Sequence, residues 1–234
     1  LLAAAGTGFV FFLSELVWYR IAAPLLGGST YTFAVILGFA LFGVGVGGLA
    51  YSFGEQRAPK APAFALTCSL QALFLILPFA MGDDLAVLAI QLRDFGSASF
   101  PKLVVGWALV SAVLVFPAAV VSGYQFPLLV ALRGGGSGGV STQLGEVYAV
   151  NTLGAIAGSL AGGFGLLPAL GAIGTWKLCS AVLLGMGAMV VLGCFRLQRA
   201  TAGGTIAIGI LSVLAMDLAG PSALWRHTPI GAGR

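Results

Sequence analysis

Charged side chains are scarce in this sequence. Asp, Glu, Lys and Arg make up 8% of the 234 residues, whereas a soluble globular domain carries about 25%. The eleven Lys and Arg residues outnumber the seven Asp and Glu residues, which gives a formal net charge of +4, but they are scattered singly along the chain. The low charge excludes a water-soluble domain, and the lack of a clustered basic face argues against nucleic-acid binding.

Histidine and cysteine are also rare. The one histidine is His227, and the three cysteines, Cys68, Cys179 and Cys194, never occur in a CxxC pair. A zinc site needs about four such ligands, and a nucleophilic triad needs a histidine near a serine or cysteine. We therefore predict no metal site, no bound cofactor and no catalytic residue in this chain, and we interpret the cysteines as buried, inert thiols.

Apolar residues dominate instead. They form 59% of the chain, together with 36 glycines, and the mean hydropathy is +1.05. A membrane-spanning helix needs about 20 predominantly apolar residues. We predict an all-α, polytopic transmembrane helix bundle in residues 1–219, immersed in a lipid bilayer, with residues 220–234 as a tail or linker to a further domain. The seven predicted spans are 3–25, 29–51, 61–81, 103–132, 147–167, 173–195 and 202–219.

Three segments depart from this simple pattern. The stretch DDLAVLAIQLRDFG (83–96) has apolar residues at helical spacing but is too short to span, so we predict an amphipathic helix on the membrane surface. The fourth span contains Pro117 and Pro127, which predict a kink or break, with SGYQFP re-entering the membrane or lying at its interface. The composition of residues 133–143 indicates a flexible linker.

Basic residues in the predicted loops orient the bundle. With seven spans, the loops that hold Arg57 and Lys60, Arg133, and Arg196 and Arg199 fall on one side. The opposite side also holds basic residues, so the preference for a cytoplasmic N-terminus is slight. An odd number of spans then places the C-terminal tail outside.

Glycines recur at four-residue spacing in two of the spans. Such spacing forms a smooth stripe on a helix, where a second helix can approach closely. The sequence FGVGVGG also satisfies the dinucleotide-binding pattern GxGxxG, but it lies inside an apolar span and lacks the strand and the later acidic residue that this motif requires. We therefore interpret it as a packing motif. The predicted packing glycines are Gly43, Gly47, Gly154, Gly158 and Gly162.

Five polar residues are candidates for a site at membrane depth. Ionisable groups there are costly, and a functional role is a fair default; the alternative is that they hydrogen-bond across helices or extend to the interface. Glu15 and Arg20 are five residues apart on the first span and point about 140° away from each other, so we expect them not to pair. The candidates are Glu15, Arg20, Gln125, Glu146 and Asn151.

Three segments resemble the membrane region of bacterial spermidine synthase-like proteins, in which a major-facilitator-like membrane domain is fused to a spermidine synthase domain. They are SELVWYRIAAPLLGGSTYTFAVILGFALFGVGVGG, FPAAVVSGYQFPLLVAL and GEVYAVNTLGAIAGSLAGGFGLLPALG. The resemblance implies the bacterial cytoplasmic (inner) membrane, and a soluble aminopropyltransferase-like domain after Arg234 that would hold any cofactor and catalytic residues. The matching residues are Glu15, Trp18 and Arg20, then Tyr148, Ala149, Asn151, Thr152, Gly154 and Ala155.

Three functions remain open at this point. The first is a non-catalytic integral membrane module, which acts as an anchor or as an accessory subunit among other membrane protein subunits. The second is a secondary transporter of polyamines or another small cation, which would use the buried polar residues. The third is the membrane part of an aminopropyltransferase-like enzyme whose catalytic domain lies outside this chain. The absence of a catalytic constellation and the abundance of packing glycines favour the first.

Overall fold

The computed structural model describes residues 1–54, 61–96, 99–134, 140–193, 199–222 and 225. These residues are almost entirely helical and include no β-strand, which confirms the predicted all-α transmembrane bundle. Three helices precede a short one and four follow it, with one π-helical turn between the sixth and seventh. The elements are α1 (Leu2–Leu26), α2 (Thr30–Phe53), α3 (Ala61–Ala80), α4 (Asp84–Gly96), α5 (Phe100–Gly134), α6 (Val140–Ala161), the π-helical turn (Gly162–Leu166), α7 (Leu167–Gly193) and α8 (Arg199–Met216).

Five helices of the described residues are long and apolar enough to cross a membrane. One of them, Ser141–Gly193, is 53 residues long and contains a break at Gly171, whose backbone angles are φ 68° and ψ 176°. This conformation suits glycine because a Cβ there would be strained. The break divides the long helix into the predicted fifth and sixth spans. The seventh corresponds to the shorter apolar helix Thr201–Met216.

Consecutive spans alternate in direction. The contacts show that α1, α3, α6 and α8 run one way through the bundle, while α2, α5 and α7 run the other, so the chain reverses at Gly171. The N-terminus and the end of α8 therefore lie at opposite ends of the bundle. Parallel pairs of helices are shown by Ala5–Gly154 and Phe9–Gly158 (α1 and α6), Gly43–Ala119 and Gly47–Tyr124 (α2 and α5), and Leu66–Gly204 and Ser69–Gly209 (α3 and α8). Antiparallel pairs are shown by Gly6–Met186 and Ser14–Cys179 (α1 and α7), and by Ala72–Ser180 and Leu75–Trp176 (α3 and α7). Tyr19–Phe33 joins the end of α1 to the start of α2.

The predicted break in the fourth span is wrong. Helix α5 continues for 35 residues through both Pro117 and Pro127, and the SGYQFP segment is part of it. Gln125, inside that segment, is fully buried among the helices, and the continuous helix leaves no re-entrant turn at SGYQFP. Breaking a helix in hydrocarbon is unfavourable, because no water is present to form hydrogen bonds with the freed backbone groups. Close packing of α2 and α3 on α5 also holds the helix together.

Helix α4 forms as predicted, and its apolar face is covered by other helices. Its buried residues include Leu85, Ala86 and Ala89, which join the main core, and Leu92 lies against Gly106 of α5. The apolar face therefore packs on protein, while the position of the helix at the membrane surface stays a prediction. The reason for this packing is the length of α5, about 52 Å at 1.5 Å per residue, which exceeds a hydrocarbon core of about 30 Å and offers α4 a packing surface.

The predicted linker and tail lie partly outside the described residues. Of the predicted linker 133–143, residues 133–134 end α5 and 140–143 begin α6, while 135–139 lie outside. The tail beyond residue 225 also lies outside. Within the described part, Gly220 packs on the ring of Phe79, so the chain after α8 returns to the bundle.

Large apolar side chains cover the outside of the bundle. On α6 they recur at helical spacing, with Leu153 65%, Ile156 51% and Leu160 54% exposed, and α8 shows the same pattern. Water would disfavour such a surface at about 25 cal/mol per Å², whereas lipid accommodates it. The exposed side of these helices is consistent with a membrane-embedded protein.

Candidate functional site

The interface between α1 and α6 is built on glycine. A Cβ added at Gly154 would overlap the carbonyl oxygen of Ala5, and one at Gly158 would overlap that of Phe9. One turn further along, a Cβ at Gly162 would lie 2.7 Å from the Cδ1 atom of Leu13. The two backbones therefore touch along two turns, which permits the close approach typical of small residues at four-residue spacing.

Asn151 lies at the start of this interface. Its Nδ2 atom donates to the carbonyl oxygen of Ala4 at 2.9 Å and lies 3.4 Å from the Oγ1 atom of Thr7. The side chain thus links α6 to α1 through the backbone, one turn before Gly154. An amide at this depth needs such a partner, since hydrocarbon supplies none.

Helices α2 and α5 meet in a second glycine interface. A Cβ at Gly43 would lie 2.6 Å from that of Ala119, and one at Gly47 would overlap the carbonyl oxygen of Val120. Gly123 of α5 approaches α2 as closely in return. The GxGxxG pattern therefore lies within a membrane helix, where Gly43 serves packing. A Cβ added at either of its other two glycines, Gly45 and Gly48, would meet no atom of the neighbouring described residues within 4 Å.

Gln125 lies between α5 and α3. It is fully buried, and its Nε2 atom lies 3.9 Å from the Sγ atom of Cys68. Its Oε1 atom has no hydrogen-bond partner among the described residues, and the same is true of the Oε1 atom of Gln71, one turn along α3. Buried amide oxygens normally have partners, so these two acceptors are unusual, as are the Nε1 atom of Trp18 and the Oγ atom of Ser111, which also lack partners among the described residues.

Glu15 and Arg20 do not meet, as their spacing predicts. Glu15 is half-buried on α1 and the structure records no hydrogen bond or ion pair for its carboxylate within the described residues. Arg20 is exposed and lines a cavity at the end of the bundle where α1 finishes. The two residues therefore face different surroundings.

Glu146 forms an ion pair near the other end of the bundle. Its Oε2 atom accepts from Arg133 at 3.1 Å (Nε) and 3.0 Å (the guanidinium Nη2), and the two side chains are 41% and 49% exposed. The pair joins the end of α5 to the first turns of α6. The pair is therefore partly exposed and lies outside the bundle interior.

We expect Glu146→Gln to change the free energy of unfolding by less than about 1 kcal/mol, because exposed ion pairs contribute little. The measurement is detergent-solubilised thermal unfolding, with Arg133→Gln as the matched variant that removes the other partner. A loss of several kcal/mol in Glu146→Gln alone would contradict this assignment and would give the carboxylate a second role.

The five candidate residues make separate contacts, and no hydrogen bond or ion pair recorded among the described residues joins any two of them. Asn151 contacts the start of α1 near Thr7, whereas Arg20 lies thirteen residues further along the same helix, about 20 Å at 1.5 Å per residue. Gln125 is between other helices, and Glu146 is paired at the surface. The described residues also contain no group of three His, Cys, Asp or Glu side chains that could hold a metal ion.

Sequence reasoning missed the indole groups that tie the bundle together. Trp176 on α7 donates from Nε1 to the carbonyl oxygen of Leu75 at 2.7 Å, and Trp225 donates to that of Ile21 at 2.8 Å. Both rings are buried. Trp176 was detectable as an amphipathic ring within a span, but Trp225 follows α8 in a segment without helical periodicity, so no local signal places it in the core.

Comparisons of this chain with family models, with curated proteins and with solved structures found no match.

Proposed function

We propose that this chain is a non-catalytic integral membrane module of a spermidine synthase-like protein in the bacterial cytoplasmic membrane, which acts as an anchor or as an accessory subunit of a larger membrane assembly. One observation carries the proposal: the segment with the most specific resemblance, around Asn151 and Gly154, forms the α1–α6 interface. Its polar and small residues contact backbone, which is what a packing role requires.

The dispersion of the polar residues supports the same role. Catalysis needs several groups held within reach of one reacting atom, whereas Glu15, Gln125 and Asn151 belong to different helix contacts. A membrane part of an aminopropyltransferase-like enzyme fits equally with this chain, provided that the catalytic groups belong to another domain. In both versions the bundle itself performs no chemistry.

A transporter is the second candidate, and a specific observation favours it. The amide oxygens of Gln71 and Gln125 are buried acceptors without partners in the described part of the chain. Unsatisfied oxygens between membrane helices could coordinate an ammonium group or another small cation on its path. The half-buried carboxylate of Glu15 would supply a negative charge for such a substrate.

Uptake into proteoliposomes separates the two candidates. We expect vesicles that contain the purified full chain to accumulate labelled spermidine no faster than empty vesicles, and Glu15→Gln and Gln125→Leu to leave that background unchanged. Gly145→Ala, which has open space around it, serves as the control for reconstitution. Uptake that exceeds the background and falls at least tenfold in either polar variant would refute the non-catalytic module and establish transport.

A further inference from the structure

A cavity of about 630 Å³ opens at the end of the bundle where α1 finishes. The last turns of α1 form one wall, and the Gly171 turn between α6 and α7 forms another. The third wall consists of Pro221, Ser222 and Trp225, which follow α8. The residues that matter for its chemistry are Tyr19, Arg20, Pro24, Leu170, Ile173 and Trp225.

The third wall is fixed to the bundle by two contacts. The Nε1 atom of Trp225 donates to the carbonyl oxygen of Ile21, and only 2% of this tryptophan is exposed. The backbone N–H of Ser222 donates to the Oδ1 atom of Asp83 at 2.9 Å, and its hydroxyl donates to the other carboxylate oxygen. These bonds engage the carboxylate of Asp83 and attach the third wall to the bundle.

Arg20 gives the cavity its charge. It is the one charged residue among the described residues that line it, and the structure records no carboxylate partner for its guanidinium there. A guanidinium presents five N–H donors in a plane and binds phosphate through two parallel hydrogen bonds. Tyr19, which also lines the cavity, carries a hydroxyl group that can donate a further hydrogen bond. These donors therefore suit an anion with several acceptor oxygens.

The depth of Arg20 suits the phosphate of an amphiphile. The residue lies six positions before the end of α1, about 9 Å along the helix axis, and from there the long arginine side chain can extend its guanidinium to the headgroup region. Pro24, Leu170 and Ile173 give the same cavity an apolar side. The helical run that begins after Gly171 also directs its first N–H groups, with partial positive charge, toward this end of the bundle.

We propose that this cavity binds a phosphate group, with Arg20 as the cation that holds it and with the apolar wall contacting whatever the phosphate carries. The phosphate belongs to an anionic phospholipid or is free phosphate, and both offer the same oxygens to the guanidinium. This binding site goes beyond the proposed membrane module and does not depend on it, since a transporter or an enzyme anchor would hold the same cavity.

Native mass spectrometry of the full chain, released from a neutral detergent, measures the binding. The probes are phosphatidylglycerol and, as the uncharged comparison, phosphatidylcholine. We expect one tightly bound phosphatidylglycerol, an affinity at least tenfold lower in Arg20→Gln, and a smaller loss in Arg20→Lys, which keeps the charge but not the planar fork. Arg133→Gln, an exposed arginine at the other end of the bundle, is the matched control and should bind as the wild type.

Competition with millimolar inorganic phosphate identifies the source. Displacement of the lipid by phosphate supports the site and shows that the phosphate group suffices, while retention of the lipid supports it and assigns the phospholipid. Three results would overturn the proposal. They are equal binding by the wild type and Arg20→Gln, equal losses in Arg20→Gln and Arg133→Gln, and no binding of either probe. Helical circular dichroism and a single gel-filtration peak exclude misfolding of the variants. The spermidine uptake experiment does not bear on this result.

Discussion

Gly154→Ala is expected to lower the free energy of unfolding by about 3 kcal/mol, the upper part of the range for overpacked interiors. The added Cβ would overlap the carbonyl oxygen of Ala5, and a helix backbone cannot move aside as a flexible side chain does. Helices α1 and α6 must separate, which also strains the hydrogen bond from Asn151 to Ala4 one turn away. Unfolding of the purified protein in a mixed detergent titration measures the change.

Gly145→Ala provides the matched control for this substitution. The same residue type changes in the same helix, but a Cβ at Gly145 meets no neighbouring atom of the described residues within 4 Å. Alanine has the higher helix propensity, so we expect a gain of about 0.5 to 1 kcal/mol. If both variants shifted stability in the same direction and by similar amounts, close backbone contact would not be the reason why glycine occupies position 154.

The sequence predicted the helices well because hydrocarbon limits what a chain can do. Apolar blocks of about 20 residues have to be helical in lipid, so the predicted spans agree with α1, α2 and α3 within a few residues. Glycine spacing likewise identified positions of close contact, since only a small residue permits it. These properties can be read locally, without knowledge of which helix is the partner.

Partner choice could not be predicted, because it depends on shape across the whole bundle. Nothing in α1 indicates that its glycine-lined partner is α6, nearly 150 residues away, and nothing near Gln125 indicates Cys68 as its neighbour. The break predicted at the prolines of α5 is wrong for the same reason. The sequence shows the local cost of proline in a helix, but it does not show the packing that offsets this cost. The candidate polar residues were thus recognisable one by one, but their separation was not.

Trp176→Ala is expected to destabilise the bundle by about 4 kcal/mol. The ring is fully buried, packs edge-on against Phe79 with centroids 5.7 Å apart, and donates to the carbonyl oxygen of Leu75. Truncating a buried Trp to Ala costs about 3 to 5 kcal/mol, because the neighbours collapse only partly into the space that is left. Thermal unfolding in detergent, followed by circular dichroism, gives the comparison with the wild type.

Two further variants assign the cause of that loss. Trp176→Phe keeps most of the ring volume but removes the Nε1 donor, so it should cost about 1 to 2 kcal/mol, mainly the hydrogen bond. Phe164→Ala removes an aromatic ring that is 86% exposed, and should change stability by less than about 0.5 kcal/mol. Should Phe164→Ala prove as costly as Trp176→Ala, the ring at position 164 would be covered by a partner instead of being exposed.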